Sequence, residues 1–239
     1  ALSALRCGAD VALYDRSGFP RHKVCGEFLS PEILPLLDAL DVTDAVMDAD
    51  PARIRRVSVH AGRRVRHDAL PEPAFGLSRY RFDALLLDIA KQRGARLVRG
   101  DAPDDSSPLV LATGRGMHAR DAGPRDNRLF GFKAHFRGAA NDAVELYFFN
   151  RCYVGVSPVE GGVTNVCGLA PRHVLAGHGF DIDAFLSGHA PLGERLDGLT
   201  RLFEWLHSGP LVFGSRLKGA QGREGVYPAG DAMVFVDPV

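Results

Sequence analysis

The apolar residues of this chain fall into two textures. Up to about residue 114 they alternate between short runs and helical spacing, and from Leu129 they form consecutive strand-length blocks. Residues 1–7 predict the last turns of a helix with Gly8 as its C-terminal cap. The run 10–14 predicts a strand ending in Asp15-Arg16, so that helix, turn and strand form the second half of a β-α-β unit. Residues 31–39 predict a helix with Ser30 as N-cap and Pro31 at its first position, and a short helix follows over 42–47. Two alternating segments, 56–60 and 64–67, predict a hairpin joined at Ala61-Gly62, and Pro71-Glu72-Pro73 predicts a loop. The clearest helix opens at Ser78-Arg79: Phe82, Leu85, Leu86, Ile89 and Ala90 recur at helical spacing until Gly94. A strand over 95–98 follows, and the continuous apolar run 108–114 suits a buried parallel strand.

In the second texture, residues 130–136, 144–149, 153–157 and 163–169 predict a meandering antiparallel sheet. Helices are expected over 171–177, 181–188 and 191–206, the last from the spacing of Leu192, Leu196, Leu199, Leu202, Phe203 and Leu206. A strand over 211–213 precedes a polar loop, and residues 225–227 lead into Gly230-Asp231.

Composition alters this picture little. At 239 residues, 46% hydrophobic and 24% charged, the chain is long enough for a real core and ordinary for a globular protein. Lys+Arg and Asp+Glu both total 29, which gives no global attraction to nucleic acid or to an anionic membrane. The four cysteines (Cys7, Cys25, Cys152, Cys167) make no CxxC pair, and no two histidines have metal-motif spacing, so no metal site is expected. No signal peptide and no bilayer-length apolar run is visible, and a cytoplasmic location is the expectation. The chain opens within a helix, without methionine, and stops just after a site-like motif; an internal fragment of a longer protein is expected.

The chemistry concentrates in the loop 19–31, Phe-Pro-Arg-His-Lys-Val-Cys-Gly-Glu-Phe-Leu-Ser-Pro. It follows a strand with a terminal acid and carries cations and a thiol between glycine and proline punctuation. An ordinary basic surface loop would look the same. Three other pieces stand with it in order: the strand and acid at 10–15, Ser-Arg-x-x-Phe-Asp opening a helix at 78–83, and Tyr-x-x-Gly-Asp-Ala with a following Asp-Pro at 227–238. Together they resemble the flavoprotein superfamily of para-hydroxybenzoate-hydroxylase fold, and most of all its geranylgeranyl-reductase-type branch, with a Lys-x-Cys-Gly loop after the second strand.

The resemblance implies an α/β fold with an α+β insert. A Rossmann-like FAD-binding domain, incomplete at both ends (1–45, 79–127 and 216–239), would be interleaved with an antiparallel-sheet substrate domain (46–78 and 128–215). It implies FAD as cofactor, with NAD(P)H as electron donor. Asp15, followed by Arg16, would hold the adenosine ribose. Arg79 would reach the flavin phosphate or ribityl region. Gly230 would allow close backbone approach, Asp231 would bond a ribityl hydroxyl, and Pro238 would lie against the ring system. Lys23, Cys25 and Gly26 would line the flavin on its substrate side, with Cys25 a candidate proton donor or a small packed side chain, and Glu27 a loop anchor.

The implied activity is oxidation or reduction of a small apolar organic substrate: a prenyl- or lipid-type reductase, or an aromatic- or polyketide-type monooxygenase. Phe130, Phe132, Phe136, Tyr147 and Phe149 would line its pocket or form simple core, and a lipid substrate would imply peripheral membrane contact. Thr113-Gly114-Arg115-Gly116 stands where the hydroxylases have Gly-Ala-Asp-Gly, and the interval 99–108 is short. A non-catalytic or truncated remnant is therefore an alternative reading. A flavin-dependent halogenase is a third, although that group's lysine-bearing motifs are not apparent.

Overall fold

The computed structural model describes residues 1–114, 128–211 and 224–233. In chain order its elements begin with α1 (Leu2–Arg6), β1 (Ala12–Asp15), β2 (Phe28–Leu29), α2 (Leu34–Ala39) and α3 (Thr43–Asp48). Then come β3 (Ala52–Ala61), β4 (Arg64–Gly76), α4 (Arg79–Gln92), β5 (Arg96–Arg99) and β6 (Leu109–Leu111). The second half comprises β7 (Leu129–Arg137), β8 (Ala143–Phe149), β9 (Cys152–Val159), β10 (Val163–Pro171), α5 (Arg172–Gly177), α6 (Ile182–Ser187), α7 (Ala190–Leu196), β11 (Thr200–Arg201), β12 (Leu206–Leu211) and β13 (Val226–Pro228).

Nine strands form one sheet in the order β11-β7-β10-β9-β8-β3-β4-β2, with β12 also paired to β7. The expected meander holds for β8, β9 and β10, but β7 lies beyond β10 instead of beside β8. The edge it leaves on β8 is taken by β3, in parallel register with Val57 opposite Val144. Two small parallel pairs, β1–β5 and β6–β13, stand apart from this sheet.

Alternation along the strands divides the large sheet into two faces. On one, Phe132, Ala134, Phe136, Tyr147, Val154, Val156 and Val166 are buried with Leu175, Phe185, Leu186 and Leu192 of α5, α6 and α7. Burying each large side chain there contributes about 1.5–3 kcal/mol. A second cluster (Leu2, Leu37, Val42, Val46, Leu77, Ala90) binds α1–α4 together.

Three local expectations are corrected. The helix expected over 191–206 ends at Leu196, because Asp197-Gly198 turns the chain (Gly198 φ +74°), and Leu199, Phe203 and Trp205 pack on the sheet core without continuing a helix. Pro71-Glu72-Pro73 is not a loop but part of β4. It lies where Ile54 pairs with Ala74 and Arg56 with Ala69, so a bulge absorbs the two prolines that cannot donate to a ladder. The run 109–111 is a parallel strand as expected, yet Val110 is 63% exposed, since among the described residues β6 pairs with β13 alone. Arg115-Gly116 and Val212-Phe213 lie outside the described residues.

Candidate functional site

The loop 19–27 crosses the sheet face opposite α5–α7. On that face β7 presents Gly131, Lys133 and His135. The cross-strand register continues the rows through Leu169 and Tyr153, through Cys167 and Gly155, and through Asn165 and Ser157. The Asn165 amide donates to the carbonyls of Cys25 (3.1 Å) and Gly26 (2.8 Å), and the Ser157 hydroxyl donates to Gly26 at 3.4 Å. Gly131 permits the contact. A Cβ there would stand 3.0 Å from Val24 Cγ1 and 2.7 Å from Ser208 Oγ.

Glu27 is the anchor of this arrangement. Its side chain has no solvent access and takes Lys133 Nζ, His135 Nε2 (2.6 Å) and the Arg79 backbone N–H (2.7 Å). Burial pushes its carboxyl up, but His135 and Lys133 bring it below the usual carboxylate range. A second carboxylate, Glu160, accepts from Ser78 through both the backbone N–H (2.7 Å) and the hydroxyl. Ser78 Oγ in turn accepts from Arg81 N, capping α4. Two acids from distant segments thus complement the positive end of α4 and fix it to loop and sheet.

One turn further, Asp83 gathers two cations. It receives Arg79 Nε at 2.6 Å and Nη2 at 2.9 Å, together with Lys23 Nζ at 2.5 Å. Burial raises the Asp83 carboxyl, and the two cations more than reverse this, holding it below its ordinary value. The Arg79 guanidinium is pulled down by burial but raised overall by Asp83 and the adjoining Cys25 thiol. Lys23, Cys25, Gly26 and Arg79, separated in sequence, are therefore neighbours here.

The other candidates lie elsewhere. Asp15, at the end of β1, accepts both Arg21 Nη1 (3.0 Å) and Nη2 (2.9 Å) as well as Ser17 N, and Arg21 holds its carboxyl below the usual range. Arg16 forms an exposed two-pronged pair with Asp101. Gly230 and Asp231 form a 3-10 turn after β13, with Gly230 at φ +60°. Pro238 lies outside the described residues.

A cleft of about 490 Å³ lies at the β8–β9 end of the large sheet, lined by Leu129, Phe148, Phe149, Tyr153 and Leu169 with Asn150, Arg151 and Cys152. Tyr153 and Leu169 share a cross-strand row with Gly131, against which Val24 packs. Of the five aromatics expected to line a pocket or form core, Phe149 lines this cleft, whereas Phe132, Phe136 and Tyr147 are buried in the core under the helices. Lys133, His135 and Asn165 were not anticipated. Their signal was a polar residue at every second position of otherwise apolar strands, Phe-Lys-Ala-His-Phe above all. Among the described residues no group of His, Cys, Asp or Glu is arranged to hold a metal, and no helix is long and apolar enough to cross a membrane.

No family model and no curated protein matches this chain. Solved structures do. A flavoprotein/dehydrogenase from Cytophaga hutchinsonii superposes with a TM-score of 0.81 at 18% identity, over 100% of this chain and 69% of that one. A flavin-dependent brominase gives 0.81 at 18%, over 99% and 69% respectively. A geranylgeranyl bacteriochlorophyll reductase-like protein from Thermoplasma acidophilum gives 0.71 at 17%, over 100% and 68%. The chain has the fold of these flavoproteins, Rossmann-like strands and helices beside a large mixed sheet, and spans about two thirds of their length.

Proposed function

We propose that this chain is the greater part of an FAD-dependent oxidoreductase, with flavin against the loop 21–27 and an apolar organic substrate in the adjoining cleft. The observation that carries this is the gathering of Lys23 and Arg79 on Asp83, with Cys25 against Arg79, in a loop docked on the sheet whose β8–β9 end forms an apolar cleft, in a chain with a flavoprotein fold.

The residues fit the cofactor. A side chain on Gly26 or Gly230 would meet open space, so the backbone is free for close approach by a flat ring or a ribityl chain. Lys23 and Arg79 keep 31% and 34% of their side-chain surface exposed, and Asp83 fixes their N–H groups for an anionic partner. Asp15, next to Arg16, binds Arg21 through both oxygens and retains lone pairs for ribose hydroxyls. Asp231 would take a ribityl hydroxyl, and Pro238 would close the ring edge. When bound, FAD supplies the redox chemistry, with NAD(P)H as the proposed electron donor. The protein's share is to orient both molecules, exclude water with the Val24, Tyr153 and Leu169 wall, and present the Cys25 thiol to the substrate as a contact or proton donor.

Two chemistries suit the apolar cleft: reduction of a prenyl- or lipid-type chain, with peripheral membrane contact, and hydroxylation of an aromatic or polyketide-type ring. Halogenation is a second reading, favoured by the likeness to the brominase. The full-length protein, purified and reconstituted with FAD, is expected to be yellow with flavin absorbance bands. A colourless protein would sink the proposal and favour a non-catalytic member of the fold. Oxygen uptake with substrate and reduced nicotinamide would mark a monooxygenase, anaerobic substrate reduction a reductase, and halide-dependent turnover a halogenase.

A further inference from the structure

His22 sits where the loop meets the sheet, its imidazole sandwiched between Tyr80 of α4 (4.7 Å) and Phe203 (4.4 Å), both stacked. His135 meets it edge-on at 5.0 Å. Its Nδ1 is buried and has no hydrogen-bond partner. A buried imidazole nitrogen tolerates this as a neutral ring, but in the imidazolium it would be an unpaired charged donor.

The surrounding groups do not relieve that. From β7 come Lys133 and His135, from α4 the Tyr80 ring, from the loop Glu27, and from the turn after β9 Glu160. Both oxygens of Glu27 are taken by Lys133, His135 and the Arg79 N–H, and both oxygens of Glu160 by Ser78.

We propose that His22 is a positioning residue that docks the loop 21–27 on the sheet while its ring is neutral and releases it on protonation. Lys23 and Cys25 would leave Asp83 and Arg79 together with it. Burial, then repulsion from His135 and Lys133, lowers the His22 pKa, with Glu27 and Glu160 opposing. The folded state therefore favours the neutral ring. The His22 contribution to docking is full above the ordinary imidazole value of about 6.5 and is lost as pH falls from there through the lowered value of the docked ring. The latch itself rests on the geometry of loop and sheet; only its bearing on catalysis rests on the flavin reading.

The test is hydrogen exchange in the full-length protein, corrected for intrinsic rates, from about pH 7.5 to about pH 5.5, read at the amides whose bonds the docked loop supplies: Glu27 to Cys25 Sγ, Leu77 to the Glu27 carbonyl and Arg79 to the Glu27 carboxylate. As pH falls from the ordinary imidazole value toward the lowered value of the docked ring, protection of these amides should fall by up to about tenfold per pH unit, the limit for one linked proton. In His22→Phe, which keeps the stack and cannot titrate, protection should be independent of pH. Three results would overturn the latch: flat protection in the unaltered protein, the same loss in His22→Phe, or a loss spread evenly over the large sheet. If His22→Phe does not fold, ring resonances of the unaltered protein decide. His22 protonation should coincide with loss of protection, and protonation with the loop still docked would refute the proposal. A protein that binds no FAD yet opens this loop with acid would leave the latch standing and remove only the flavin reading.

Discussion

Lys133 and Glu27, 106 residues apart in sequence, meet where neither side chain has any solvent access. Such a pair is poor at adding net stability but costly to break, because each charge was desolvated in reliance on the other. It ties the loop bearing Cys25 to β7 of the large sheet.

Removing one partner should therefore be worse than removing both. Glu27→Leu is expected to destabilise by about 3–5 kcal/mol in chemical denaturation, leaving Lys133 as an unpaired buried cation. Glu27→Leu combined with Lys133→Met should recover the part of that loss due to the unpaired lysine, while His135 and the Arg79 N–H still lack their acceptor. A double variant as unstable as the sum of its singles would show that the pair is not coupled.

Asp83 makes a second prediction, through pH. Its carboxyl is held below its ordinary value in the folded state, so its contribution is full above about pH 4, the unfolded value for aspartate, and is lost as pH falls further. Asp83→Asn should cost about 1–3 kcal/mol at neutral pH and flatten the acid limb of the stability profile. An acid limb unchanged in Asp83→Asn would place that titration on other carboxylates.

Two glycines separate binding from folding. At Gly76 a Cβ would stand 1.9 Å from the Pro158 carbonyl oxygen, so Gly76→Ala should destabilise by about 3 kcal/mol or more. At Gly26 a Cβ meets nothing, and Gly26→Ala should stay within about 0.5 kcal/mol of the unaltered protein. If flavin lies against this loop, the same substitution should lower FAD retention in the full-length protein at unchanged melting temperature. Undiminished retention would move the cofactor away from Gly26.

The thiols give a fourth test. Burial pushes Cys152 up to about 11, whereas Cys7 is exposed. Alkylation at neutral pH followed by peptide mass analysis should modify Cys7 readily and Cys152 only after denaturant is added. Early modification of Cys152 would mean that the β8–β9 end of the sheet opens without global unfolding.

Much of this was legible in the sequence. Turn punctuation and a capping serine marked the loop 19–31 and the start of α4, and the polar residues there proved to be neighbours in space. Period-two runs marked β7 to β10. Strand order was not legible, because nothing local tells β7 to pair with β10, nor β3 to pair with β8 in parallel. Lys133 and His135 escaped notice because a charged residue within a strand ordinarily faces water, and only the overlying loop makes that face an interior. The leucine spacing through 191–206 misled because it continues across Asp197-Gly198, where the backbone cannot.

The parallel pairing of β3 with β8 carries a consequence for how the chain is made. The hairpin of β3 and β4 emerges from the ribosome with one edge unmatched, and its partner is synthesised only after α4, β5, β6 and β7. Until then the hairpin holds an open strand edge, and long-range closure of this kind slows folding. Fragments ending before Phe149 should therefore aggregate, and β8 should be the point in synthesis beyond which the chain stays in solution.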